Sequence, residues 1–123
     1  MSTGAPRFPG RAPIEAYGKG GFRFAGMSHR GSILCLPSGI YAWEPTVPPD
    51  VASLQQALAE SDSIGLLLVG TGAAQVLPPA DVRRAFAEAG VALEFMDTGA
   101  ACRTYNVLLA EGRPAAAALL AAP

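Results

Sequence analysis

Ile64-Gly65-Leu66-Leu67-Leu68-Val69 runs straight into Gly70-Thr71-Gly72. A run without one polar side chain, bounded by glycines, reads as a β-strand covered on both faces, because a strand with one wet face would alternate. Such a strand needs a layer above it and a layer below it. Downstream, Pro78-Pro79-Ala80-Asp81 is a helix-start signal, Val82 and Phe86 supply a buried stripe, Arg84 can pair with Glu88 one turn on, and Gly90 provides the stop. Val91 to Met96 is then a second strand. Strand, helix, strand implies a parallel pair joined by a right-handed crossover, with the first strand central in the sheet.

The pattern continues to the C-terminus. Asp97-Thr98-Gly99 offers side-chain acceptors for free N–H groups, so a helix begins there and carries Cys102, Tyr105, Leu108 and Leu109 on one face. Glu111-Gly112-Arg113-Pro114 ends it. Propensity alone makes the alanine-rich tail from Pro114 to Ala122 a further helix.

Upstream, Pro48-Pro49-Asp50 starts a helix over residues 50 to 61, with Val51, Leu54 and Leu58 on its apolar face. Before it, Ile14 to Tyr17, Phe22 to Phe24, Ser32 to Leu36 and Ile40 to Trp43 are strands separated by glycine turns, an antiparallel β-meander. Residues 1 to 13 read as a flexible arm without the apolar core of a secretory signal, and residues 14 to 123 as one domain. The residues themselves imply a single α/β domain in which antiparallel strands join a parallel pair.

Composition narrows function. The 123 residues hold nine Lys plus Arg and ten Asp plus Glu, a net charge of −1, so there is no broad field to hold a nucleic-acid backbone or an anionic membrane. Hydrophobic residues make up 50% and charged residues 15%, enough for a core. No run reaches the roughly 20 apolar residues of a membrane span. Two distant cysteines, Cys35 and Cys102, suggest reduced thiols in a cytoplasmic protein rather than a disulfide scaffold.

The catalytic inventory is thin. His29, the single histidine, lies in the turn-like Met27-Ser28-His29-Arg30-Gly31 and needs no role beyond an exposed hairpin. One His and two separated Cys provide no zinc-ligand spacing, and no metal or cofactor is expected. Gly18-Lys19-Gly20-Gly21 has Arg23 where a dinucleotide fingerprint needs glycine.

In a parallel sheet, ligands meet the C-terminal strand ends, which here bring Gly70, Thr71 and Gly72 beside Asp97 and Thr98. Asp97 or Thr98 suffices as a helix cap. Arg103 and Asn106 follow within two turns and could hold an anion or a partner's carboxylate. Cys102, in the first turn beside Arg103, is favoured as a thiolate by the helix dipole and as a silent thiol by burial. Tyr41 and Trp43 suit either a core or an interface.

Gly20-Gly21-Phe22-Arg23-Phe24, Leu67 to Gly72, and Met96-Asp97-Thr98-Gly99-Ala100-Ala101-Cys102-Arg103-Thr104-Tyr105-Asn106-Val107-Leu108, in this order, resemble a small single-domain family of bacteria, archaea and mitochondria. That family includes the mitochondrial complex I assembly factor three. The resemblance implies a three-layer α/β fold in which the tail, Ala115 to Ala121, is a strand and not a helix. It supplies no established reaction. It implies a non-catalytic interaction module that assists assembly of a complex I-like or other membrane-associated complex. Its partner would be a respiratory-complex subunit or a second assembly factor, with any contact with a membrane made through partners. The rival expectation is a small-molecule or anion site, even an enzyme, at the rim of Gly70, Thr71, Gly72, Asp97, Thr98, Arg103 and Asn106.

Overall fold

A computed structural model describes residues 4 to 123; Met1 to Thr3, part of the expected arm, lie outside the described residues. Among the described residues, eight strands form two sheets. β1 (Ile14–Gly18), β2 (Gly21–Phe24) and β3 (Met27–Arg30) make a small antiparallel sheet. β4 (Ser32–Leu36), β5 (Gly39–Trp43), β6 (Leu66–Gly70), β7 (Ala92–Met96) and β8 (Ala115–Leu119) make the main sheet in the order β5-β4-β8-β6-β7. β8 runs parallel to β6 and antiparallel to β4, so the sheet is mixed. The helices are α1 (Gln55–Ala59), α2 (Ala80–Glu88) and α3 (Thr98–Ala110).

Alternation along the main sheet divides the core into two halves. Ile33, Cys35, Leu68, Ala115, Ala117 and Leu119 face α3 and the small sheet, meeting Phe22, Phe24, Cys102 and Tyr105. Leu34, Leu36, Leu67, Val69, Ala116 and Ala118 face the other way, meeting Leu54 and Ala57 of the α1 region and Val82 and Phe86 of α2. These are three layers about one sheet. The alanine tail is a strand, as the resemblance implied, and it is buried on both faces. Methyl side chains there let both helical layers approach the sheet, which outweighs alanine's helical preference.

Four expectations need correction. The run Ile64 to Val69 does contain a buried strand, but the middle place in the sheet belongs to β8. Residues 50 to 61 do not form one helix. They divide into a 3-10 turn at Ala52–Leu54, the single turn of α1, and a second 3-10 turn at Ser61–Ser63. Asp50 Oδ1 accepts from Ser53 N (2.8 Å), and Trp43 Nε1 donates to Ser53 O (2.7 Å), taking a carbonyl that a continuous helix would use.

His29 is not in a turn but on β3, opposite Phe22. The turn lies before it at Ala25-Gly26, both at positive φ, the backbone a tight hairpin demands. Arg84 and Glu88 make no ion pair; those among the described residues are Arg23–Glu15 and Arg113–Glu111, both at 3.6 Å and exposed.

The arm also has a fixed point. Ile40 N donates to Phe8 O (2.9 Å), and a Cβ at Gly39 would stand 2.6 Å from that oxygen, so only glycine lets the segment lie so close.

Candidate functional site

The C-terminal ends of β6 and β7 do meet, and α3 starts beside them. Asp97 caps α3, its Oδ1 accepting from Ala100 N at 2.9 Å. Thr98 is fully buried and ties three elements together. Its Oγ1 accepts from Gly72 N (2.8 Å) and donates to Leu120 O (2.7 Å), while its backbone N donates to Gly72 O (2.8 Å). Thr71 N donates to Met96 O (2.8 Å); Thr71 Oγ1 donates to Ala74 O (2.6 Å) and accepts from Val76 N (3.0 Å). Gly70 lies close under α3, where a Cβ would stand 3.1 Å from Thr98 Cα, tighter than ordinary contact. Gly72 is required by its φ of +94°.

Gly72 and Thr98 thus bond to each other, Gly70 and Thr98 both bond to Leu120, Thr71 bonds to Met96 and its own loop, and Asp97 bonds within its own helix. Their polar groups answer one another and the adjoining backbone, rather than converging on open space.

Arg103 and Asn106 reach a different element. Asn106 clamps the start of β1, with Oδ1 accepting from Ile14 N and Nδ2 donating to Ile14 O, both at 2.8 Å. Arg103 Nη1 donates to the Tyr17 hydroxyl at 2.9 Å. Tyr17 lies over Gly99, where an added Cβ would come within 2.6 Å of that hydroxyl. Arg103 and Tyr17 are exposed, so this pair faces solvent.

The reactive-group candidates are packed. Cys102 is buried, and burial pushes its thiol up to about 12 against the opposing pull of Arg103. Desolvation therefore overrides the dipole argument for a thiolate. Burial likewise raises the Cys35 thiol and the Tyr105 phenol, and lowers His29 from its ordinary value. Trp43 belongs to the core on the α2 side, and the Tyr41 hydroxyl is 2.6 Å from Ser38 Oγ. Among the described residues, no group of three His, Cys, Asp or Glu side chains is placed to hold a metal ion.

Sequence reading missed a cavity of about 70 Å³ lined by Val47, Pro48, Leu54, Val69, Val82 and Leu120 among others. It lies beneath the loops that leave β5 and β6. Its walls come from segments far apart in sequence; the only local hint was two proline pairs, each beside a valine or leucine.

A family model described as "Protein of unknown function (DUF498/DUF598)" matches residues 14 to 120, nearly the whole chain. The chain belongs to this family. An uncharacterized relative in Rhodobacter capsulatus is 41% identical over 123 residues, covering 100% of this chain and 95% of that protein. NADH dehydrogenase [ubiquinone] 1 alpha subcomplex assembly factor 3 of Danio rerio is 35% identical over 112 residues. That match covers 89% of this chain and 64% of the fish protein's length. A solved structure described as an outer membrane protein from Bartonella henselae is 53% identical and superposes with a TM-score of 0.93, covering 95% of this chain and all of that one. The family therefore joins bacterial proteins of unassigned activity to complex I assembly factors. Among the described residues, no helix is long and apolar enough to cross a membrane.

Proposed function

We propose that the chain is a non-catalytic interaction module that assists assembly of a respiratory complex I-like or other membrane-associated complex. The observation that carries this reading is the 35% identity, over 89% of the chain, to assembly factor 3. The rim adds support, because the polar groups of Thr71, Gly72 and Thr98 are taken up by hydrogen bonds to one another, to Ala74, to Met96 of β7 and to Leu120 just past β8. In this reading the partner is a protein, a second assembly factor or a complex subunit. The chain works from the cytoplasm and reaches the membrane through that partner. Arg103 is the recognition residue carried forward, held by Tyr17 on an open surface. The experiment is deletion of the gene in its own host, followed by native electrophoresis of complex I. Loss of the assembled complex, restored by the wild-type chain and poorly by Arg103→Ala, is the expected result; undiminished complex overturns the reading.

A further inference from the structure

Strand pairing sets Gly18, Gly21 and Arg30 in one row across the small sheet and Ala16, Arg23 and Ser28 in the next. Phe22, between Gly21 and Arg23, is buried in the core, so both rows lie on the outer face of the sheet. That face is an open basin of about 540 Å³. Its floor is backbone and small side chains, and a Cβ at Gly21 would collide with His29 O. Arg23, Arg30 and Lys19, the last in the turn between β1 and β2, line it, and no carboxylate does.

These cations are held in place and largely unanswered. Among the described residues, Lys19 and Arg30 make no ion pair. Arg23 is steadied from two sides, with Nε 3.6 Å from Glu15 Oε1 and Nη1 donating to Ser28 Oγ at 3.2 Å. Glu15 is itself shared, since its Oε2 accepts from Gly26 N at 3.2 Å. Lys19 keeps a side chain at a φ of +53°, among Gly18, Gly20 and Gly21, where such a residue is uncommon. Gly20 N donates to Ala122 O at 2.7 Å, which ties this turn to the segment after β8.

Spacing selects the occupant. Arg30 lies opposite Gly21, two residues before Arg23 on β2, so the two arginines are diagonal neighbours with backbones about 7–8 Å apart. An extended segment brings every second side chain to one face at intervals of about 6.6 Å, close to that spacing. Carboxylates at alternate residues therefore meet the two arginines in turn, with Lys19 at the turn end of the same basin. A small free anion would stay largely in water, because ligand sites of this volume enclose their occupants and this one has no walls. A bilayer offers mobile charges without the register.

We propose that the outer face of the small sheet docks an extended acidic segment of a partner protein, with aspartate or glutamate at alternate residues set against Arg23, Arg30 and Lys19. The inference rests on the reading of the chain as an interaction module and gives its partner a chemistry. Tyr17 borders the same basin and holds Arg103 by its hydroxyl, so the residue already named for recognition adjoins this face.

The test uses the full chain with labelled backbone amides and a serine and glycine peptide that carries four glutamates at alternate positions. The amide resonances of residues 16 to 23 and 28 to 30 should shift on titration. The same peptide with glutamine for glutamate should bind at least about tenfold more weakly, and added salt should weaken only the glutamate form. A peptide with its four glutamates in one block should bind several-fold more weakly than the alternating one. Arg30→Gln and Lys19→Asn should each lower affinity several-fold. Neither should lower the unfolding midpoint, because Arg30 is exposed and asparagine accepts the left-handed backbone of position 19 more readily than lysine.

The proposal is overturned by equal binding of the glutamate and glutamine peptides, by no shift at millimolar peptide, or by equal binding of the block and alternating peptides. Inorganic phosphate that shifts these amides at lower concentration than the peptide would make this a small-anion site and overturn it as well. So would binding to phosphatidylglycerol vesicles by a chain that ignores the peptide, which would make it a membrane surface. A chain that restores complex I in cells but ignores the glutamate peptide keeps the assembly reading and loses this one. A chain that binds the peptide, in a host whose complex I survives deletion of the gene, keeps this surface and loses that reading.

Discussion

Asp97 and Thr98 are adjacent acceptors at one helix start, yet they hold different energies. Asp97 is partly exposed and satisfies one N–H that water could otherwise reach, so Asp97→Ala should cost about 1 kcal/mol in urea unfolding. Thr98 is sealed from water, and Thr98→Val leaves Leu120 O and Gly72 N to find other partners in the interior. That substitution should cost about 2–3 kcal/mol, within the range for stranding a buried polar group. A smaller loss at Thr98 than at Asp97 would show that these contacts rearrange or admit water. The sequence could suggest a cap at this place, because capping is local. It could not reveal the threonine's second role, since Leu120 and Gly72 become its neighbours only once β8 and β6 have paired.

The same burial governs the cysteines. The thiol of Cys102 has a folded pKa raised to about 12, above the roughly 8.5 of an unfolded cysteine. The protonated form is therefore favoured by folding. Its stabilising contribution is complete below about pH 8.5 and is lost as pH rises towards 12. Cys35 and Tyr105 are shifted in the same direction and add to that loss. Folded protein at pH 8 should react with a thiol reagent only as fast as it opens, and unfolding free energy should fall steadily above pH 9. Rapid labelling of Cys102 in the native state would contradict its burial.

At the scale of elements, β8 shows where propensity and context part. Four consecutive alanines read as helix, yet Ala115 and Ala117 pack towards α3 while Ala116 and Ala118 pack towards the other helical layer. Ala117 is fully buried between β4 and β6, so Ala117→Leu should destabilise the domain by about 1–3 kcal/mol through overpacking, measured by thermal or urea unfolding. Ala121→Leu, at a half-buried position beyond the strand, should change little.

Periodicity made β6, α2, β7 and α3 legible, because each carries its own apolar stripe and stop signal. β3 was not legible: Met27-Ser28-His29-Arg30 has weak apolar alternation, and it is a strand because the Ala25-Gly26 turn folds it back along β2. The broken helix at residues 50 to 61 failed for the opposite reason. Its stripe at Val51, Leu54 and Leu58 is genuine, but the indole of Trp43 claims the Ser53 carbonyl, a contact no local pattern reports. Strand order was beyond reach as well, since β6 and β8 are both covered on two faces and apolarity cannot rank them.

At the scale of the molecule, the question is whether the two sheets unfold together. The small sheet shares its core with the main sheet through Phe22, Phe24, Ile33, Cys35 and Tyr105, and Asn106 fastens it by two hydrogen bonds to Ile14. Trp43 lies on the opposite face of the main sheet, among Leu34, Leu54 and Phe86. The tryptophan therefore reports from the half of the core that Asn106 does not touch. If residues 14 to 123 are one cooperative unit, Asn106→Ala should move the fluorescence transition of Trp43 by as much as it moves the loss of circular dichroism. The expected cost is about 1–3 kcal/mol, because the Ile14 N–H and C=O lose their partner together. A dichroism curve that divides into two steps, with the Trp43 transition left at its wild-type midpoint, would mean that the small sheet and α3 form a separate unit. Because β8 contributes alternate residues to both halves of the core, the coupled outcome is the one its alternation predicts.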